Sequence, residues 1–242
     1  VKDGAIIVGG VGLTALGVSL INNKQELSDA ELATKTKDKV PFFDRGNVGF
    51  YSSKADDDSY IPFKASFAMP ILMGLINKNE RQKFGQLMVL YTETMAITGT
   101  VFTMTTGNVY RSRPYVYNTT NPMVVTSDFK RDKNSQRAFF AGHTAATAAA
   151  TFFMAKAFAD FNPGSKAKPY VWAFAAAVPA LVGYLRYKAG MHFLSDNLLG
   201  YAVGMGAGIF VPQLHKIKGM RNVTISPAVG IGNKGLAINY RL

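Results

Sequence analysis

Long apolar segments recur along this chain, and they limit its fold more than any other feature. The first is Gly4–Ile21, Gly-rich and free of charge. A second, shorter one runs from Phe67 to Ile76, and a third from Phe84 to Val109 with Glu93 inside it. A fourth, rich in Ala and Thr and carrying Lys156, runs from Phe139 to Phe161; the fifth is Tyr170–Tyr187 and the sixth Phe193–Leu214. The longer segments outrun ordinary strands and predict helices. A membrane span needs ~20 apolar residues, and the first, fifth and sixth segments come close. The mean hydropathy of +0.07 is low for six spans. Two readings follow: polar loops dilute a membrane-embedded bundle, or Ala-rich helices are buried in a soluble one. Membrane integration is preferred, because Gly12, Gly17, Gly200, Gly204, Gly206 and Gly208 suit close helix–helix approach in lipid.

With 242 residues, the chain has enough length for one sizeable domain rather than two. Its 27 Lys and Arg outnumber 15 Asp and Glu, which favours anionic partners such as lipid head groups or phosphorylated substrates. These cations are scattered over several loops with no reading motif, which argues against a nucleic-acid binder. Cysteine is absent, so a disulfide frame, a Cys-based metal site and a Cys nucleophile are excluded. The sequence opens on Val1 rather than Met, the expectation being a processed chain that has shed a leading segment.

Between the first two segments lies a polar stretch, Asn22–Pro62, in which Ser28 and Glu31 have the spacing of a capping box. The run Asp56–Asp57–Asp58 reads as a solvated acidic turn. Arg111–Arg137 is a long loop with Pro114, Pro122 and several cations, and loops of that length usually carry function. After Lys218, Val223–Val229 and Leu236–Tyr240 flank a Gly-rich turn, a hairpin signal. The expected fold is therefore all-α: a six-helix bundle over residues 1–218, with its core at 84–214, and a C-terminal β-hairpin over 219–242.

Three histidines carry most of the chemical information. His192 and Asp196 are four apart at the start of the sixth segment, which on a helix puts them on one face. A carboxylate there would fix the imidazole tautomer and leave Nε2 as a nucleophile. Arg186, six residues earlier, can offer a two-pronged grip on phosphate. His143 opens the fourth segment after Ala141 and Gly142, where a helix start turns free N–H groups towards an anion. Arg113, before Pro114, would be a second clamp. Each piece alone is ordinary. Together they lie at the ends of helices that antiparallel packing would bring to one side, and no metal-ligand cluster accompanies them.

In order, R-P at Arg113–Pro114, G-H-T at Gly142–Thr144 and R-x5-H-x3-D at Arg186–Asp196 resemble the phosphatidic acid phosphatase type 2 superfamily, a group that includes lipid phosphatases, bacterial acid phosphatases and vanadium haloperoxidases. The spacings fit, with 25 residues between Pro114 and Phe140 and 42 between His143 and Arg186. The resemblance, which covers roughly 84–214, implies a metal-independent phosphatase without a cofactor. In it His192 attacks phosphorus, Asp196 orients His192, and His143 acts as general acid and then base. Arg113, Arg186, Gly142 and the Ala141 backbone would hold the phosphate. The family's motif Lys falls on Thr106, and its motif Ser residues on Ala141 and Leu185; Arg111 and Arg137 are candidates to replace the lost cation. The substrate implied is a phosphomonoester or pyrophosphate, lipid-linked, at a bacterial envelope membrane with the site facing away from the cytoplasm. A degenerate member that binds phosphate or phospholipid head groups without turnover stays open, as does a vanadate-dependent haloperoxidase. Oligomeric state is not legible.

Overall fold

The computed structural model describes residues 2–216 and the backbone of 223–230 and 233–240. Its helices, in chain order, are α1 Lys2–Asn22, α2 Asp29–Ala33, α3 Ser53–Ile76, α4 Lys78–Arg81, α5 Phe84–Asn108, α6 Pro122–Val125, α7 Ser127–Arg131, α8 Gly142–Phe161, α9 Lys168–Lys188 and α10 Leu194–Lys216. Short 3-10 turns, among them Phe42–Asn47 and Pro114–Tyr117, join them. The expected capping box forms: Ser28 Oγ accepts the Glu31 N–H and the Glu31 carboxylate accepts the Ser28 N–H.

Helix α8 is the centre of the bundle. It packs against α10, α9, α3 and α5, while α1 packs along α5. Every side chain of α8 from Thr147 to Phe158 is buried, which explains its Ala- and Thr-rich composition: small side chains let four neighbours approach one axis. On α10, Gly200, Gly204 and Gly208 lie against the backbone carbonyls of Ala141, Ala145 and Ala149, where a Cβ would overlap them. Gly17 makes the same close approach to Thr103, whereas Gly12 and Gly206 face open space or only Phe210.

One segment differs from the sequence expectation. The helix of the second apolar segment, α3, begins at Ser53, well before Phe67, so the polar residues from Ser53 to Pro62 are helical. Ser52 caps it by accepting the Ala55 N–H, and apolar periodicity cannot reveal a helix start that lies among charged residues. The longer α3 is apolar enough to cross a membrane, as are residues Gly4–Asn22 of α1, α5 and α10. The fifth segment, now α9, is not among these four. The charges inside the third and fourth segments are met internally: Glu93 lies 3.4 Å from His215 and Lys156 pairs with Asp160. Ile6, Val8, Val11, Leu13 and Leu16 leave α1 with an outward apolar face, the pattern of a helix whose solvent is lipid.

Beyond Lys216, two backbone segments, Val223–Gly230 and Asn233–Tyr240, run antiparallel. The turn of the expected hairpin, at 231–232, lies outside the described residues.

Candidate active site

The C-terminal ends of α5 and α9 and the N-terminal ends of α8 and α10 meet at one end of the bundle. Hydrogen bonds tie them: the Ala141 N–H donates to the Asp196 carbonyl, the Arg113 N–H to Ser135, the Tyr115 N–H to Gly190 and the Met191 N–H to Arg186. The α9–α10 turn depends on Gly190, whose φ is +72° and whose missing Cβ leaves room for the Phe50 carbonyl.

His192 sits in that turn, 3% exposed. Its backbone carbonyl accepts the Asn47 Nδ2 amide at 2.9 Å, and its Nδ1 lies 2.6 Å from the Ala138 carbonyl oxygen. A carbonyl can only accept, so Nδ1 carries the proton and Nε2 keeps a free lone pair. The expected ring partner, Asp196, does not fill this role. Its carboxylate accepts the Phe193 N–H at 2.8 Å and the Arg111 guanidinium instead. The reason is register. α10 begins at Leu194, so His192 precedes the helix, the shared face of positions i and i+4 does not exist there, and Asp196 serves the helix start.

Arg111 is likewise not a phosphate clamp. Its two amino groups are held by Asp44 and Asp196, with Ser195 Oγ at 2.9 Å, and its plane lies over the Phe193 ring. Arg137 pairs with Asn134 and lies near enough to Arg113 for the two charges to repel. The Ala141 backbone N–H is engaged by Asp196 and is unavailable to a ligand. Gly142 has a packing role beside any ligand role: a Cβ would overlap the Phe102 ring of α5. Thr106, at the family's Lys position, is fully buried and donates its hydroxyl to the Phe139 carbonyl at 3.1 Å.

Four side chains remain that converge. Arg113, Arg186, His143 and His192 are close enough for their charges to act on one another. Arg186 is 2% exposed, with one amino group on Asp56 and 3.3 Å from Ser59 Oγ. Arg113 Nη1 touches Met191 Sδ at 2.8 Å. The Nε of each arginine is buried without a partner. His143 packs its ring against Phe63 and Tyr60, centroids 4.2 and 5.0 Å away. Burial first, then Arg113 and Arg186, holds His192 well below the ordinary imidazole value. Burial first, then Arg186 and Arg113, pushes His143 down to about 3. The first-turn N–H groups of α8 have no intrahelical partner and point to this same end. Beside Arg113 a cavity of about 440 Å³ opens, lined by Tyr115, Asp128, Phe129, Asp132, Asn134 and Met191.

Of the four side chains, Arg113 lines this cavity. Chemically, this end of the bundle brings together two guanidiniums with unpartnered Nε atoms, one imidazole with a free Nε2 and a second imidazole. It suits a tetrahedral oxyanion. Among the described residues, no group of three or more His, Asp or Glu side chains is placed to hold a metal ion.

Several residues of the site were not legible in the motifs. Asp44 and Asn47 come from the 3-10 turn Phe42–Asn47 and fasten Ser195 and the His192 backbone. Asp56, read as part of an acidic turn, is helical and faces inwards. Asp56, Ser59, Tyr60 and Phe63 follow the i, i+3, i+4, i+7 pattern of a single helix face, a signal that only emerges once α3 is known to start at Ser53.

No curated protein and no solved structure matches the chain. The sequence model of the PAP2 superfamily matches residues 87–219, more than half of the chain and the part that supplies Arg113, His143, Arg186 and His192. The chain therefore belongs to the PAP2 (phosphatidic acid phosphatase type 2) superfamily, a group that includes phosphatases acting on phosphorylated substrates.

Proposed function

We propose that the chain is a metal-independent phosphatase that hydrolyses a phosphomonoester or pyrophosphate on a lipid, through a phosphohistidine at His192. One observation carries this reading: two imidazoles and two guanidiniums whose Nε atoms are buried and unpartnered share one end of the bundle. In the proposed reaction the Nε2 lone pair of His192 attacks phosphorus as the ester P–O bond breaks. His143, charged once the phosphate dianion has entered, passes its proton to the departing oxygen. His143 then takes a proton from water, the water oxygen attacks phosphorus, and the P–N bond breaks to return His192 and release phosphate. Arg113, Arg186 and the α8 start hold the non-bridging oxygens throughout. The Ala138 carbonyl supplies the tautomer control first assigned to Asp196. Arg137, beside Arg113, is the remaining cation suited to the place of the family's Lys. The lipid-linked substrate is supported by the four membrane-length helices and the outward apolar face of α1. A bacterial envelope location, with the site turned away from the cytoplasm, follows by likeness to the family.

Phosphate release from p-nitrophenyl phosphate and from phosphatidate, with chelator present, tests the reading on the full chain in detergent. His192→Ala should remove turnover, and the wild-type chain should yield an acid-labile phosphoenzyme. The buried, engaged Thr106 hydroxyl favours a second reading, a binder without turnover. Equal, background-level release by wild type and His192→Ala, with phosphate still bound, would select it.

A further inference from the structure

Arg186 is held from behind. Of the acidic run on α3, Asp57 is exposed and Asp58 pairs with Lys54 at the surface, while Asp56 turns inwards and takes one amino group of Arg186. Ser59, one turn further on, lies 3.3 Å from the same Nη1. Asp56 and Ser59 lie outside residues 87–219, the part of the chain the family pattern covers. The Nε of Arg186 has no partner and is buried, and its charge acts on Arg113, His143 and His192. A guanidinium is a rigid planar fork of five donors. Fixing it at one amino group sets the direction of the rest and removes rotamer freedom before an anion arrives. The Tyr60 ring lies beside the guanidinium, 6.0 Å from its carbon, and narrows that freedom further.

We propose that Asp56 is a positioning residue for phosphate recognition: it grips Arg186 by one amino group so that the rest of the fork faces the anion site. The proposal deepens the phosphatase reading and rests on that same site. It assigns α3 a share in the chemistry: the helix brings Asp56 and Ser59 to Arg186 and Tyr60 and Phe63 to His143.

The test compares the full chain with Asp56→Asn and with the surface control Asp57→Asn, in detergent. Binding of inorganic phosphate is measured by calorimetry, and KM and kcat with p-nitrophenyl phosphate. Asp56→Asn should raise both the phosphate Kd and KM by about 10-fold, the effect of weakening one charge-assisted contact, with a smaller change in kcat, while Asp57→Asn should match wild type. Unchanged or tighter phosphate binding by Asp56→Asn would overturn the proposal. So would a fall in Vmax alone, since a merely structural role lowers the folded fraction without moving Kd or KM. If Asp56→Asn does not fold, Asp56→Glu keeps the ion pair but displaces the fork by one methylene; it should raise the Kd, and an unchanged Kd refutes the idea. Wild-type chain that binds phosphate more tightly than Asp56→Asn but does not hydrolyse the ester would remove the phosphatase reading and leave Asp56 in its role. Wild-type hydrolysis with no change in the variants would do the reverse.

Discussion

Asp196 shows how a single residue can have the right identity and a different task. It is fully buried, its carboxylate closes the start of α10 on the Phe193 N–H, and it neutralises Arg111. The ring of His192 is held by the Ala138 carbonyl. These two roles predict different damage. Removing one partner of a buried pair leaves an uncompensated charge, at about 3–5 kcal/mol. Arg111 keeps Asp44 and is partly exposed, so the lower end applies. Asp196→Ala should therefore lower unfolding free energy by about 3 kcal/mol, read from denaturant midpoints, and the folded fraction should keep the wild-type pH profile of kcat. A pH profile displaced at unchanged stability would return Asp196 to direct contact with the imidazole. The same residue scale explains why Arg111 and Arg113, two apart, do different things: Arg111 meets Asp44 and Asp196, whereas Arg113 faces Met191 and the cavity.

At the scale of elements, the α8–α10 contact places the chemistry. Gly200, Gly204 and Gly208 let the α10 backbone ride on the carbonyls of Ala141, Ala145 and Ala149, and that separation sets where the starts of both helices lie. His143 opens one and His192 precedes the other. A methyl group at Gly204 would meet the Ala145 carbonyl and the Ala148 Cβ at once. Backbone carbonyls of a central helix cannot yield, so Gly204→Ala should cost about 1–3 kcal/mol of stability and reduce turnover by displacing the two imidazoles. Gly206→Ala, whose new methyl would only approach Phe210 at 3.8 Å, should be neutral or slightly stabilising, since alanine favours a helix interior by up to about 1 kcal/mol over glycine. Melting temperatures of the two variants in the same detergent check this contrast. Equal effects would mean that small residues on α10 serve only general packing.

For the whole molecule, the burial of two imidazoles beside Arg113 and Arg186 has a consequence for acid stability. The folded chain keeps His192 and His143 neutral, with pKa values below the usual 6.5. In the unfolded chain both take up protons near pH 6.5. Through these two groups the unfolded state binds more protons below pH 6.5, so their contribution to stability falls as the pH drops. The buried Glu80 carboxyl, pushed up to about 7 by burial, takes up its proton in the folded state first and acts in the opposite sense. At pH 5.5 the loss relative to pH 7.5 should be about 1.4 kcal/mol per imidazole. Saturating inorganic phosphate should offset part of it, because an anion between the arginines favours charged imidazoles and binds only the folded form. Denaturant midpoints of the wild-type chain and of His143→Ala at pH 5.5 and 7.5, with and without phosphate, isolate the share of one imidazole; a pH dependence unchanged by removing His143 would mean that its ring is not enclosed.

By itself the sequence determined which segments are helical cores, which family the chain belongs to, and which side chains could hold an anion. Apolar periodicity and motif spacing are local properties, and they survive without any tertiary detail. Tertiary structure alone decided the partners. That Asp56 serves Arg186, that Ala138 rather than Asp196 orients His192, and that Arg111 is committed to Asp44 depend on contacts between residues distant along the chain. Such contacts depend on where each helix starts and how closely α8 and α10 approach. A shift of one or two residues in a helix start rotates every later side chain by roughly 100° per residue, and no pattern of residue types records that rotation until the helices are packed.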